Sequence, residues 1–341
     1  MKKNRKFRWA LVGTDTFQGK EIKNVLSLKE IPNTHLEFFD PEVKEEYGKL
    51  TEFQGEPRVI LPLKEEALKH LDLVFLAADK KINKKVGSQV SEQGFWAIDL
   101  RDTFNTDKKV PVVVAGINDS IIRKENSRLI SNPHPATIVL SHLFYALMPE
   151  FGLKKAITMI LQPASAFGES GIEELANQSM ELMNGAALSK KIFKAQVAFN
   201  LLSQIEKTDE YGFSLKEKQI KQEISRVFDK KKFPLSLSVV QVPVFHTYSI
   251  LSYLEMDKNV DILHLEKLFK QSPYFEFVPS SPVCPVSSVT VSGKDKIHIS
   301  QIKKEKTFPN SFWIWTVADN LTVGSALNAI EIAKNMMYRD S

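Results

Sequence analysis

Residues 7–19 read FRWALVGTDTFQG: a short apolar run ends on Gly13, and a polar turn follows that closes on Gly19. Beyond it, Ile22, Val25 and Leu26 recur at helical spacing, and a second apolar run, LEFF at 36–39, stops at Asp40 and Pro41. Strand, glycine turn, helix, strand is the opening of a dinucleotide-binding fold. Such a turn lets the backbone approach a pyrophosphate at the positive end of the following helix. Here Thr16 stands where a middle glycine would permit close approach, and Asp15 puts negative charge where phosphate would lie. Two readings stay open: a turn kept for packing, and a nucleotide site built on Gly13, Thr16 and Gly19. Asp40 lies about 21 residues beyond Gly19, where an acid bonds a ribose hydroxyl, repels the 2′-phosphate of NADP and favours NAD. Aspartate before proline also starts turns, so this position too has two readings.

Further apolar runs at 59–61, 73–77, 95–98 and 110–115 read as strands, with helical stretches between several of them. Continuous apolar strands alternating with helices imply an α/β fold with a parallel sheet covered on both faces. A length of 341 residues suggests two domains, and 43% apolar with 26% charged residues is ordinary for a globular chain. One cysteine, Cys284, excludes an internal disulfide and fits a reducing, cytoplasmic setting. It stands between Pro282 and Pro285 with no neighbour to lower its pKa, and reads as a packed or idle thiol.

No apolar run approaches a membrane span, and the basic start, MKKNRKFR, lacks the apolar stretch of a signal peptide. The net charge of +5 is spread over short lysine doublets and triplets, which describes a solvated surface better than a nucleic-acid site. Phe312, Trp313 and Trp315 read as a core strand, since no arginine interleaves with them. The seven histidines show no zinc spacing, so no metal is expected; His134 and His142 could share a helical face as core or capping groups.

Seven segments in order carry a resemblance: VGTDTFQG (12–19), IDLRDTFN (98–105), SNPHPAT (131–137), SAFGESGIEELANQ (165–178), AFNLL (198–202), VVQVPVF (239–245) and WTVADNLTVGSALNAIEIA (315–333). Together they resemble aspartate-semialdehyde dehydrogenases, and more closely their Usg-type paralogues, which lack the catalytic cysteine. The resemblance implies a Rossmann-type NAD(P)-binding domain over 1–134, joined by a carboxy-terminal helix at about 322–341. It implies an α+β catalytic and dimerisation domain over 135–321, and a homodimer. The family's reaction is the reductive dephosphorylation of an acyl phosphate to an aldehyde. A cysteine takes the acyl group, a histidine handles the proton, a nicotinamide supplies hydride, and arginines and a lysine hold the substrate.

Matched motif by motif, these groups are missing. The cysteine of the family's S/A-N-P-N-C-S/T falls on Pro135, which has no nucleophilic atom. In V-P-V-x-x-G-H-S the histidine falls on Tyr248, whose ordinary pKa near 10 suits proton transfer poorly. His246, two residues upstream, would share a strand face with Tyr248 and is the substitute to consider. The carboxylate-binding arginine of V-R-V-P is Gln241, which brings no charge and no bidentate fork. The phosphate-binding asparagine and arginine become Leu100 and Asn105, and the phosphate lysine becomes Gln219. The serine- and glycine-rich turn becomes 77–81, AADKK, which adds Asp79 near the expected phosphate path. Gln162, Asn132, Glu223, Asp319, Asn320 and Gly324 survive, with Asn320 joining Gly13, Thr16, Gly19 and Asp40 as a cofactor-side position. Losing nucleophile, base and anchors together points to a non-catalytic dimeric scaffold, binding or regulatory protein. The alternative is an NAD(P)-dependent oxidoreductase acting on an aldehyde through a rearranged site.

Overall fold

The computed structural model describes residues 6–29, 31, 34–44, 48–124, 127–229, 233–279, 283 and 286–337. The chain divides into two compact units, Met1–His134 with Ser325–Ser341, and Pro135–Gly324. Cys284 lies outside the described residues.

The first unit runs β1 (Phe7–Val12), α1 (Phe17–Leu28), β2 (Thr34–Asp40), β3 (Lys49–Phe53), β4 (Glu56–Pro62), α2 (Glu65–Leu68), β5 (Leu73–Leu76), α3 (Lys80–Gln93), β6 (Trp96–Asp99), α4 (Ile121–Lys124) and β7 (Leu129–Ser131). Its sheet is ordered β3-β4-β2-β1-β5-β6-β7. All pairs are parallel except β3 with β4. Leu11, Phe75 and Ile98 pack on one face with Ile22 and Val25 of α1. Val12, Val74 and Ala97 pack on the other with Val86 and Val90 of α3. Burial on both faces is why these strands read as continuous apolar runs. Thr16 caps α1, and Asp79 caps α3 by accepting from the backbone N–H groups of Lys81 and Ile82.

Residues 110–115 correct the sequence reading. They make a single bridge, Val112 with Ser131, instead of a strand, and β7 closes the sheet. Pro111 has no N–H to give a ladder. The backbone there is satisfied by two side-chain amides. Asn118 donates to Val112 O at 2.8 Å and accepts from Val114 N at 2.8 Å. Asn328 donates to Val113 O at 3.0 Å and accepts from Ala115 N at 2.8 Å.

The second unit runs α5 (Pro135–Phe151), β8 (Lys155–Gln162), α6 (Gly168–Met183), α7 (Leu215–Phe228), β9 (Leu235–Gln241), β10 (Tyr248–Glu255), α8 (Ile262–Gln271), β11 (Phe275–Phe277), α9 (Ser288–Val291), β12 (Ile297–Lys304) and β13 (Ser311–Ala318). Its mixed sheet is ordered β11-β12-β13-β10-β8-β9. Ala156, Ile160, Ile250, Leu254, Phe312 and Ile314 are buried on one face. Alternation along β8 leaves Ile157 and Met159 of the opposite face 46% and 47% exposed. Of the three aromatics read as a core strand, Phe312 is buried, whereas Trp313 and Trp315 are only half-buried on that open side.

The GIEELANQ stretch folds as α6 and fixes an irregular segment beside it. Glu174 accepts from the backbone N–H groups of Lys191, Ile192 and Phe193. Gln178 accepts from Val197 and Ala198 and donates to the Ser189 and Ala195 carbonyls. A π-helical turn at Thr322–Ala326 leads into α10 (Leu327–Met337), which belongs to the first unit. Its Ala329, Ile330 and Ala333 join the cluster around Leu11 and Ile22. Among the described residues no helix is long and apolar enough to cross a membrane, and no group of three metal-ligating side chains occurs.

Candidate functional site

Pro135 opens α5, where its missing N–H costs nothing and its fixed φ suits the first turn. The start of this helix lies against the π turn: a Cβ added to Gly324 would sit 2.7 Å from the Pro135 Cβ. Only glycine fits so close to the proline ring. Two residues on, Thr137 donates to Glu223 Oε2 at 2.6 Å, and Gln219 donates to Oε1 at 2.9 Å. The buried Glu223 carboxylate is thus held by a hydroxyl and an amide of the same unit.

Sheet register brings three further positions side by side. Gln162 pairs with Gln241 across β8 and β9, and Tyr248 lies one step beyond the Leu161–Ser249 pair of β8 and β10. Gln162 donates to Gln241 Oε1 at 3.1 Å, and the Tyr248 hydroxyl donates to Gln162 Oε1 at 3.3 Å. Gln241 donates onward to the Val242 carbonyl at 3.0 Å. Gln241 and Tyr248 are 1% exposed and Gln162 2%. This is a neutral, buried, mutually bonded cluster without a nucleophile or a charged anchor.

His246 does not lie on a strand with Tyr248, as the sequence suggested; it occupies the bend before β10, so the same-face argument fails. Its Nδ1 is buried without a hydrogen-bond partner among the described residues. Between them Thr247 holds φ +73°, a left-handed backbone that a β-branched residue adopts only under strain. The resembled motif has glycine at this position. Thr247 N donates to Asn320 Oδ1 at 3.0 Å, while its own buried hydroxyl has no hydrogen-bond partner among the described residues. Asn320 Oδ1 also accepts from Ser165 at 3.2 Å, so Asn320 ties three segments of the second unit together. His134 precedes α5 and His142 lies within it, so they do not share one helical face.

In the first unit the glycine turn is packed by its own chain. A Cβ at Gly13, whose φ is +87°, would meet Ala78 N at 2.5 Å, and one at Gly19 would meet Gly13 O at 2.2 Å. Thr16 Oγ1 accepts from Gly19 N at 3.1 Å and lies 2.8 Å from Gly13 O and 2.9 Å from Ala77 O. Asp15 is paired with Lys49 at 2.6 Å, and this carboxylate holds the Lys49 ammonium above its ordinary pKa. Asp40 ends β2 and accepts from Glu42 N at 2.9 Å, the bond of an aspartate-initiated turn. Leu100 is core, and Asn132 accepts from Asn328 at 2.7 Å. The two amide clamps, Asn118 and Asn328, escaped sequence reasoning; for the second, the signal was an asparagine set between Leu327 and Ala329 at the start of α10.

Residues 8–125 match the family described as semialdehyde dehydrogenase, NAD binding domain, and residues 145–323 match semialdehyde dehydrogenase, dimerisation domain. An aspartate-semialdehyde dehydrogenase of Shewanella violacea is 25% identical over 338 residues, 99% of both chains. That of Aquifex aeolicus is 26% identical over 333 residues, covering 96% of this chain and 97% of its own. Among solved structures, aspartate semialdehyde dehydrogenase II of Vibrio cholerae, complexed with ASA, superposes with a TM-score of 0.91. It covers 98% of this chain and 99% of that one at 24% identity. A probable aspartate-semialdehyde dehydrogenase of Pseudomonas aeruginosa gives 0.90 at 23% identity and the same coverage. The two matched domains, one on each compact unit, make this chain a member of the semialdehyde dehydrogenase family.

Proposed function

We propose that this chain is a non-catalytic member of its family, acting as a homodimeric binding or regulatory protein. The observation that carries the reading is the buried, neutral Gln162–Gln241–Tyr248 cluster, together with a proline, Pro135, at the first position of α5. Nucleophilic catalysis needs an activated atom within reach of a base. Pro135 offers none, and the phenol of Tyr248 is spent on an amide oxygen inside the fold. The open face of the second sheet, with Ile157 and Met159, supplies the apolar surface for a second copy.

Dinucleotide binding is the property to test beside it, with Gly13, Thr16, Gly19 and Asp40 as the residues in question. The turn fits a dinucleotide poorly: the space freed by its glycines is filled by backbone, Thr16 caps the helix, and Asp15 brings a carboxylate. Asp40 disfavours a 2′-phosphate, so NAD is the form to expect ahead of NADP. Calorimetric titration with NAD, NADP and their reduced forms should give no binding, or weak binding of NAD. Hydride-transfer assays with aldehydes and phosphate should give no turnover. Turnover lost in Gln162→Ala or His246→Ala would overturn the reading in favour of an oxidoreductase with a rearranged site.

A further inference from the structure

Two side-chain bonds of the first unit start from the β1–α1 turn and reach past the strands on either side of it. Lys49, at the start of the edge strand β3, pairs with Asp15, in the turn after β1, at 2.6 Å. In the sheet, β4 and β2 lie between those two strands. Lys49 is paired in register with Ile60 of β4, whose side chain packs with Leu11 and Ile22, so the ion pair runs on the α1 side of the sheet. It passes the end of β2, since Asp40 and Glu42 lie within electrostatic reach of the Lys49 ammonium. On the other side Arg101, just after β6, donates to Gln18 Oε1 in the first turn of α1 at 2.5 Å, with β5 between. The crevice at β1 and β5, where the strand order reverses, is where a doubly wound sheet takes its ligand.

The residues of this turn do not fit a dinucleotide phosphate as they stand. A phosphate beside a glycine turn needs helix-start N–H groups and a cation. Lys49 is the cation that reaches the turn, yet its ammonium is held by Asp15. That carboxylate stands one residue before the Thr16 cap and supplies the negative charge favoured at a helix start. Lys23 is no substitute: its ammonium is committed to Thr51 Oγ1 at 2.5 Å, and burial holds its pKa below the ordinary lysine value. The ion pair itself is weak, because its side chains are 47% and 36% exposed. Breaking it is therefore not what excludes a phosphate. A phosphate that took Lys49 would leave the Asp15 carboxylate unpaired against a like charge, and that repulsion is what the turn has built in.

We propose that Asp15 is a built-in phosphate surrogate, which engages Lys49 at the start of α1 and is the residue that denies dinucleotides to a turn otherwise retained. The inference rests on the reading that the wild-type chain binds NAD weakly or not at all, and it names the group responsible. It also separates charge from shape. Thr16, in place of the middle glycine, caps α1 through Gly19 N, and the obstacle is the neighbouring carboxylate, not the threonine methyl. Replacing that carboxylate by the amide of the same size leaves the shape of the turn alone and frees Lys49.

The test is calorimetric titration of the full chain and its variants with NAD and with inorganic pyrophosphate, with melting temperature as a second readout. Asp15→Asn and Asp15→Ser, at a partly exposed position, should keep the circular dichroism spectrum. Both should bind NAD at least about tenfold more tightly than the wild type, and pyrophosphate should raise their melting temperatures. Adding Lys49→Met to Asp15→Asn should remove the gain, and Thr16→Gly alone should give none. No gain in either folded Asp15 variant, with a wild type that binds weakly, would overturn the inference and leave the proposed function standing. An equal gain from Thr16→Gly would overturn it in favour of a steric block, and a gain that survives Lys49→Met would show that Asp15 does not act through that lysine. Micromolar binding of NAD by the wild type would instead overturn the weak-binding reading on which the inference rests.

Discussion

At the scale of single residues, the loop before β10 still carries the backbone of a glycine with a threonine in its place. Thr247 holds φ +73° and buries an unpartnered hydroxyl, two unfavourable terms at one position. A left-handed backbone costs a non-glycine residue about 1–2 kcal/mol, and glycine returns about 0.5–1 kcal/mol of that through unfolded-state entropy. Removing the stranded hydroxyl adds to the gain. Thr247→Gly should therefore stabilise the protein by about 1 kcal/mol in urea denaturation, and a lower midpoint would show that the strain has been misjudged. Pro135→Cys should give no turnover, because Tyr248 and Gln241 still replace base and anchor; measurable turnover would mean that the cluster is more reactive than its bonding implies.

His142 supplies a pH-dependent counterpart. Burial pushes its imidazole pKa down from 6.5 to about 4, and the ring stacks on Tyr274 at 4.2 Å. The unfolded chain takes up this proton as pH falls through 6.5, whereas the folded chain resists until about 4. The contribution is intact above pH 6.5, declines between 6.5 and 4, and is level below. Its size is about 3 kcal/mol. Stability measured against pH should show this slope in the wild type and lose it in His142→Phe, which keeps a ring against Tyr274. Parallel curves for the two proteins would refute the assignment.

At the scale of elements, legibility followed the source of each element's hydrogen bonds. β1, α1, β2 and β5 were readable because their backbone partners are other strands or their own turns, and their burial writes a continuous apolar run. The run at 110–115 looks the same in sequence, yet its partners are the amides of Asn118 and Asn328, the latter more than 200 residues away. Periodicity carries no record of a bond that distant. The positions of Pro135, Gln162, Gln241 and Tyr248 were readable through the motifs, but not that register would bond the last three to one another. Asn328→Ala removes both bonds of its clamp and strands Val113 O and Ala115 N, so it should cost about 2–4 kcal/mol in urea denaturation. A loss under about 0.5 kcal/mol would mean that water replaces the clamp freely.

At the scale of the whole molecule, the question is what covers the second sheet. Its buried face carries ordinary core residues, while the other holds Ile157 and Met159 nearly half exposed, with Tyr253 against Trp313 at 5.2 Å beside them. Register sets Met159 between Ser238 of β9 and Leu251 of β10, well inside the six-stranded sheet. A charge there is harmless in a monomer, where a lysine can reach water along its stem. In an interface of the usual 1,200–2,000 Å² it would be buried opposite apolar side chains without a partner. Sedimentation velocity at micromolar concentration should give a dimer of the 38.7 kDa chain, and Met159→Lys should give a monomer with an unchanged circular dichroism spectrum. A wild-type monomer would remove dimerisation from the proposed function. A dimer that survives Met159→Lys would place the interface on another surface of the second unit.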